Sequence, residues 1–364
     1  MFVTYFQKII AYIRETQEMA LFATMADARL SAAFRMSPLF YIMLPFIGFL
    51  LTLNAIANGY QLARANNKNF DQWFFFITSM ICAALASISL YGAALSEILG
   101  FTFAAGPWLF FSSLIVGLAS QLIMLGVNLH RAAESPQESI QHAHYIQAAF
   151  NNIFVLSLLT TVLGAVIFVM LFPTVAPVVG SAFAITAVVL TALDVLWQVM
   201  PQNKKQRIKV WFSINEPNLE QDATANQMHN KMHVKITNDE KEPLHHRIFT
   251  HCDYSAVIRK MAVNEAKNYL SVLIQHKLDA FGKNVSMQDE KSKDKVALLK
   301  KLLNVIEHPV EISKKNIITM YPLAFQSFWA EKGEVEQLFD AVMVLHNKYQ
   351  YEEMNAFSVK PSSA

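Results

Sequence analysis

The stretch that decides the fold is residues 38–58, which read PLFYIMLPFIGFLLTLNAIAN. A helix needs about 20 predominantly apolar residues to cross the roughly 30 Å hydrocarbon core of a bilayer, and this run contains no charged side chain. Similarly apolar windows follow at residues 73–95, 107–128, 152–172 and 177–200. The sequence therefore predicts an all-α polytopic membrane protein with about five transmembrane helices.

Charge divides the chain into two regions of different character. Residues 38–200 carry eight Asp, Glu, Lys and Arg side chains, whereas residues 201–364 carry 43. A membrane composition followed by a soluble one excludes a purely soluble enzyme, a fibre and a disordered chain. We expect an N-terminal region of residues 1–36, a transmembrane domain of residues 37–200 and a soluble domain of residues 201–364, with a disordered end at residues 351–364.

The regions outside the membrane have periodic patterns of their own. Residues 2–34 place apolar side chains at helical spacing with charges between them, so we interpret residues 1–36 as an amphipathic helix in the membrane interface. A helix packed on the soluble domain is the alternative. Residues 207–214 and 232–237 alternate and predict a short β element. Beyond Asp253, a candidate helix cap, the apolar stripes predict a mainly α-helical domain.

Basic residues predict the orientation of the spans. The side reached by the C-terminal ends of the odd-numbered spans holds seven Lys and Arg residues, and the opposite loops, residues 96–106 and 173–176, hold none. Because cytoplasmic loops carry an excess of Lys and Arg, the C-terminal domain is expected to be cytoplasmic. The N-terminal region carries four basic residues, which favour the reverse orientation, but four is fewer than the seven on the other side.

Three polar side chains occur at a similar depth in the first, third and fifth spans: Asn54, Gln121 and Asp194. Charge inside a membrane is costly, so an intramembrane carboxylate is a candidate functional group. Polar side chains also hold helices together by hydrogen bonds. Two hypotheses therefore stay open, namely interhelical contacts and a path for a solute or for protons.

A basic cluster follows the last span and consists of Lys204, Lys205, Arg207 and Lys209. Each Lys or Arg near an anionic leaflet contributes about 1 kcal/mol of attraction, so these residues are candidate ligands for anionic lipid headgroups. An ordinary positive-inside anchor has the same composition and is the alternative.

Five histidines and a cysteine are crowded into 24 residues of the tail: His229, His233, His245, His246, His251 and Cys252. Imidazole and thiolate groups suit zinc or another transition metal. No recognised ligand spacing connects them, and exposed loop histidines are the simpler interpretation. No other cofactor is expected.

The sequence contains no glycine-rich phosphate loop and no His-Glu-x-x-His, Gly-x-Ser-x-Gly or Cys-x-x-Cys motif, which indicates a protein that is not an enzyme. A net charge of +2 without a basic block gives no support for a nucleic-acid partner. We expect a membrane anchor that presents a cytoplasmic helical domain for interaction with a protein or a membrane surface. The alternative is a small-solute or ion transporter or channel that acts as an oligomer.

The chain ends in YQYEEMNAFSVKPSSA, residues 349–364, where the Glu352 and Glu353 pair precedes small polar residues. This end resembles the C-terminal translocation signals of Dot/Icm type IV secretion substrates of Legionella-like bacteria, many of which are multi-pass membrane proteins with helical tails. The resemblance implies a secreted effector in a host organelle membrane, whereas a protein that is not secreted is expected in the bacterial inner membrane. A helix that ends in a polar terminus is the alternative interpretation.

The expected partners are the lipid bilayer, anionic lipid headgroups and an unidentified protein, with a homo-oligomer as a further alternative.

Overall fold

The computed structural model describes residues 9–10, 13, 29, 33–34, 36–65, 67–171, 176–211, 217–238, 247–283, 289–308 and 312–358, of which residues 97, 168–171, 176–180, 198, 231–238, 283 and 353–358 are described by their backbone alone. The chain forms two compact units. The membrane unit comprises Met1–Arg64, Gln72–Leu129 and Ile146–Asn215, and the linker-tail unit comprises Ala65–Asp71, His130–Tyr145 and Glu216–Ala364.

The membrane unit is built from helices α1 (Pro38–Arg64), α2 (Phe70–Leu99), α3 (Gly106–Glu134), α4 (Ile140–Leu171), α5 (Ala176–Val199) and α6 (Gln202–Trp211), some of which extend by a few residues into the other unit. Within the described part of the chain, α1 to α4 are each long and apolar enough to cross a membrane. Helices α5 and α6 are bent by 119° and add a fifth span if they count as one. This confirms the predicted membrane class, with four to five spans.

Small and polar residues bring α1, α2 and α3 together. The Ser87 hydroxyl on α2 donates to the carbonyl oxygen of Gly48 on α1 at 2.9 Å, and a Cβ atom at Gly48 would meet the Tyr91 ring at 3.2 Å. Between α2 and α3, the Ser113 hydroxyl donates to the Cys82 carbonyl oxygen at 3.2 Å. Close backbone approach and interhelical hydrogen bonds of this kind hold transmembrane helices together, because lipid tails supply no hydrophobic driving force between helices.

The linker-tail unit contains helices α7 (Leu219–Asn238), α8 (Tyr254–Arg259), α9 (Val263–Lys283), α10 (Glu290–Glu307), α11 (Lys314–Met320) and α12 (Glu334–Ser358). Helix α12 packs against α8, α9 and α10, and α7 packs against α8. The apolar stripes meet in one core around fully buried Leu270, Leu299 and Leu338. The Asp253 carboxylate accepts a hydrogen bond from the Ala256 amide at 3.0 Å, so the predicted helix cap is confirmed.

The predicted β element is wrong for the residues that the structure describes. Residues 232–237 belong to α7 and residues 207–211 to α6, while residues 212–214 lie outside the described part. Six alternating residues have no neighbouring strand to pair with, and α7 is instead held by packing against α8.

The structure also bears on both predicted terminal regions. The disordered end is predicted for residues 351–364, but residues 351–358 continue helix α12, and residues 359–364 lie outside the described part. Almost all of the predicted interfacial helix of residues 1–36 also lies outside it. The linker-tail unit contains other segments than the predicted soluble domain. Ala65–Asp71 and His130–Tyr145 belong to it together with the tail, whereas α6 belongs to the membrane unit.

Candidate functional site: a polar cavity in the linker-tail unit

A buried arginine connects the three segments of the linker-tail unit, which are the first linker (Ala65–Asp71), the second linker (His130–Tyr145) and the tail (Glu216–Ala364). Arg131, at the end of α3, is 1% exposed and donates from Nη1 and Nη2 to the two carboxylate oxygens of Asp71 at 2.6 and 2.9 Å. Its Nη2 also donates to the Trp329 carbonyl oxygen at 3.2 Å. The rings of Tyr145 and Phe249 lie 5.6 and 5.7 Å from the guanidinium carbon. Bidentate charge-assisted bonds are strong and directional, so this arginine fixes the positions of three chain segments.

Glu134, one turn after Arg131, positions the segment before α8. Its carboxylate accepts hydrogen bonds from the backbone amides of Ile248 at 2.8 Å and Phe249 at 3.1 Å, and from the Thr250 hydroxyl at 3.0 Å. A single carboxylate thereby sets the path of the backbone that leads to His251.

The first linker positions the loop before α12 in a similar way. The Asn67 side chain accepts from the Ser327 amide at 2.8 Å and donates to the Glu331 carbonyl oxygen at 2.7 Å. The Phe70 amide donates to the Phe328 carbonyl oxygen, and the two rings meet edge to face with centroids 6.2 Å apart. The two linkers therefore hold both tail segments that border a cavity.

This cavity has a volume of about 520 Å³, which lies in the range of small-molecule sites. All of its lining residues belong to the linker-tail unit. The polar and charged residues of the lining are Gln141, His144, Tyr145, Thr250, His251, Asp253, Ser255, Arg259, Glu331, Lys332, Gln337 and Asp340, and the apolar ones are Ile140, Phe249, Ala330, Met343 and Val344.

Several charged groups of the lining lie beside groups of opposite charge. Lys332 Nζ lies 2.8 Å from Asp340 Oδ2, and His144 Nε2 lies 3.9 Å from Glu331 Oε2. Arg259 Nη1 donates to Asp222 Oδ2, which lies behind the wall, at 2.9 Å. The cavity is consequently polar without an excess of unpaired positive charge.

Several neutral polar groups of the lining lack such partners. Tyr145, Ser255 and Gln337 are 6%, 7% and 6% exposed, and their side chains form no hydrogen bond with any residue that the structure describes. The Gln141 Oε1 atom is completely buried and is also without a partner in the described part. Because Gln141 Oε1 has no accessible surface, a molecule in the cavity does not reach it. The polar atoms of Tyr145, Ser255 and Gln337 are not among the completely buried ones, so these three side chains are available to a bound molecule.

Burial shifts two titrating groups of the lining towards their neutral forms. Desolvation raises the pKa of Asp253, although the hydrogen bond from the Ala256 amide opposes the shift. Desolvation lowers the pKa of His251, against the opposing effect of Glu334. Each shift favours the uncharged state of its group, because a charge is less well solvated in the protein than in water.

The described residues include no group of three or more His, Cys, Asp and Glu side chains able to hold a metal ion. His251 lines the cavity, whereas Cys252 packs against the apolar core. The His229 ring lies beside Arg247, whose Nη2 is 2.8 Å from Nδ1. The side chains of His233, His245 and His246 lie outside the described part.

The predicted membrane residues lie in α1, α3 and α5, where Asn54, Gln121 and Asp194 are all partly exposed. No hydrogen bond joins Asn54 to Gln121 among the described side chains.

The predicted lipid-binding cluster lies on α6, where Lys204 and Arg207 are exposed. Lys209 donates to the Gln147 side chain at 3.0 Å, and Lys205 Nζ lies 5.9 Å from the centre of the Trp197 ring. Two of the four cations are therefore exposed, as contact with headgroups requires.

The apolar helices and the separate linker-tail unit are the organisation of a multi-pass membrane protein. No protein-family model, curated protein or solved structure matches this chain.

Sequence reasoning missed most of the cavity. Of its lining, only His251 was singled out as a candidate ligand, and Tyr145, Ser255 and Gln337 carry no local motif. The one available signal was that Asp71 and Arg131 are opposite charges at the ends of neighbouring apolar windows, which favours a pair.

Proposed function

We propose that this chain is a multi-pass membrane anchor that holds the linker-tail unit at the cytoplasmic face of its membrane as an interaction domain. The observation that carries the proposal is the set of hydrogen bonds among the two linkers and the tail, with Arg131, Asp71 and the Trp329 carbonyl at its centre. The chain passes between the two units five times, at residues 64/65, 71/72, 129/130, 145/146 and 215/216. A unit assembled from three chain segments that alternate with the membrane helices is suited to the role of an anchored domain.

Connectivity supports five crossings. Residues that share direct hydrogen bonds must lie on one side of a bilayer, so both linkers and the tail share a side. Helices α2 and α3 lead away from the first linker and return to the second. Helix α4 leads away from the second linker, and the chain returns to the tail only if α5 also crosses. Together with α1 this makes five spans, and we propose that the N-terminus lies on the opposite side.

Charge supports the cytoplasmic assignment of that side. The seven basic residues near these span ends include Arg131, Lys204 and Arg207, whereas the opposite loops contain neither Lys nor Arg. The exposed cations of α6 are suited to anionic headgroups of the same leaflet. The resemblance of residues 349–364 to secretion signals stays a prediction and adds an effector role to this proposal.

Single-cysteine labelling in intact cells tests the arrangement. In a background with Cys82→Ala and Cys252→Ala, cysteines replace exposed residues Gln137, Gln221 and Thr102, and an impermeant maleimide is added. We expect labelling at Thr102 alone before permeabilisation and at all three positions after it. Labelling of Gln137 and Gln221 but not Thr102 would reverse the orientation. Different outcomes at Gln137 and Gln221 would overturn the shared side and, with it, the proposed domain.

A further inference from the structure

We propose that the cavity of the linker-tail unit binds an uncharged, hydroxyl-rich small molecule of the size of a nucleoside or a monosaccharide. This ligand site goes beyond the anchoring role and does not depend on which side of the membrane the unit occupies. It rests on the volume of the cavity, on its unpartnered neutral groups and on the pairing of its charges.

The unpartnered groups define the hydrogen-bonding character of the ligand. Tyr145 and Ser255 offer hydroxyl groups, and Gln337 offers an amide, so each of these three side chains can both donate and accept. A ligand hydroxyl also donates and accepts, which lets it satisfy such groups in several orientations. Three groups of this kind, on residues that are at least nine-tenths buried and line one cavity, match a molecule with several hydroxyls.

Charge pairing argues against a phosphorylated ligand. Phosphate recognition uses Arg or Lys side chains that present free donors to the anion. Here Lys332 is occupied by Asp340, and Arg259 is shared with Asp222. The carboxylates of Asp253 and Glu331 also line the cavity and repel an anion. An uncharged ligand meets neither obstacle.

The apolar part of the wall supports the same ligand class. Phe249 and the Tyr145 ring lie on one part of the lining, and Met343 and Val344 lie on helix α12. Small-molecule sites combine such apolar surfaces with a few polar groups that fix orientation. Nucleosides and sugars both present a carbon-rich face and a hydroxylated edge, so the shared chemistry is a neutral polyol.

Calorimetric titration of the full-length protein in detergent distinguishes a nucleoside from a monosaccharide as the ligand. The probes are adenosine, uridine and D-glucose, each paired with its phosphate: AMP, UMP and glucose 6-phosphate. We expect at least one uncharged probe to bind and its phosphate to bind at least about tenfold more weakly. Preference for the nucleosides or for glucose identifies the source. Absence of binding by all three uncharged probes up to about 10 mM, or equal binding of the phosphates, overturns the proposal.

Two substitutions locate the site by removing polar groups with little change of shape: Tyr145→Phe and Gln337→Met. Each should weaken binding of the successful probe at least about tenfold. The matched controls are Tyr351→Phe and Gln275→Met, at exposed positions outside the cavity, and these should leave affinity unchanged. Melting without ligand is measured first, and Ser255→Ala replaces any cavity variant that does not fold. Unchanged affinity in the cavity variants would refute this assignment of the site.

Discussion

Replacing Asp71 by Leu should destabilise the linker-tail unit strongly, because it leaves the Arg131 guanidinium buried without its counter-charge. Leu takes away both acceptor oxygens, at 2.6 and 2.9 Å, and leaves the Trp329 carbonyl as the remaining acceptor. Arg131 Nε is already buried without a partner among the described residues. Deleting one member of a buried ion pair costs about 3–5 kcal/mol, and we expect a loss of this size.

The reverse substitution should be milder. Asp71 is 21% exposed, so water can reach its carboxylate when Arg131 is replaced by Met. Methionine fills much of the volume of the arginine stem, and we expect a loss of about 1–2 kcal/mol. The double variant should be more stable than Asp71→Leu alone, since it removes the unpaired charge.

Hydrogen exchange on the full-length protein in detergent measures these differences locally. The reporters are the amides of Phe70 and Ser327, which donate to Phe328 and Asn67 within the region that Arg131 holds. Each 1.4 kcal/mol is a factor of ten in the opening equilibrium, so Asp71→Leu should speed their exchange by about 10² to 10⁴. Asp279→Leu, at an exposed aspartate on α9, is the matched control and should leave both rates unchanged.

Two results would refute the reasoning about the buried charge. One is a loss below about 1 kcal/mol for both single variants, which would mean that Arg131 is well solvated in the folded protein. The other is a double variant whose loss equals the sum of the single losses, because independent sites add and paired ones do not.

Two further predictions concern buried titrating groups outside the membrane helices. Burial lowers the pKa of His251 from 6.5. The stability that the neutral side chain contributes is therefore present above pH 6.5 and is lost as the pH falls through the folded pKa. The variant His251→Gln should flatten this acid dependence, as measured by denaturant unfolding followed by circular dichroism. Burial raises the pKa of the Cys252 thiol to about 12. At pH 8, iodoacetamide should therefore modify this thiol on the order of a thousandfold more slowly in the folded protein than after unfolding, as measured by mass spectrometry. Similar rates in the two states would contradict the burial of Cys252.

Features that repeat within one helix could be predicted from the sequence. The apolar windows cover α1 to α5, and the tail stripes cover α9, α10 and α12, because a helix presents its pattern within 10 to 20 residues of chain. The short β element was wrong for the same reason in reverse. Residues 232–237 alternate over too few positions to distinguish a strand from a helix, and in the structure they continue helix α7.

The cavity could not be predicted, because its walls come from distant parts of the chain. Gln141 and Tyr145 follow α3, whereas Gln337 lies almost two hundred residues later on α12. Nothing local distinguishes these side chains from ordinary polar residues at helix surfaces. Whether these side chains have hydrogen-bond partners depends on the three-dimensional positions of residues that are distant in the chain.

The same long-range contacts predict that the tail alone is less stable than the complete linker-tail unit. A fragment that begins after the last span lacks Asp71, Arg131 and Glu134, and so it leaves the Trp329 carbonyl and the Thr250 hydroxyl without the partners they have in the whole chain. In the fragment these groups meet water, so each lost hydrogen bond costs about 0.5–1.5 kcal/mol, while whole domains are stable by only about 5–15 kcal/mol. The loss of several such hydrogen bonds is therefore a large fraction of the total. We therefore expect the linker-tail unit to be complete only in a chain that contains both linkers.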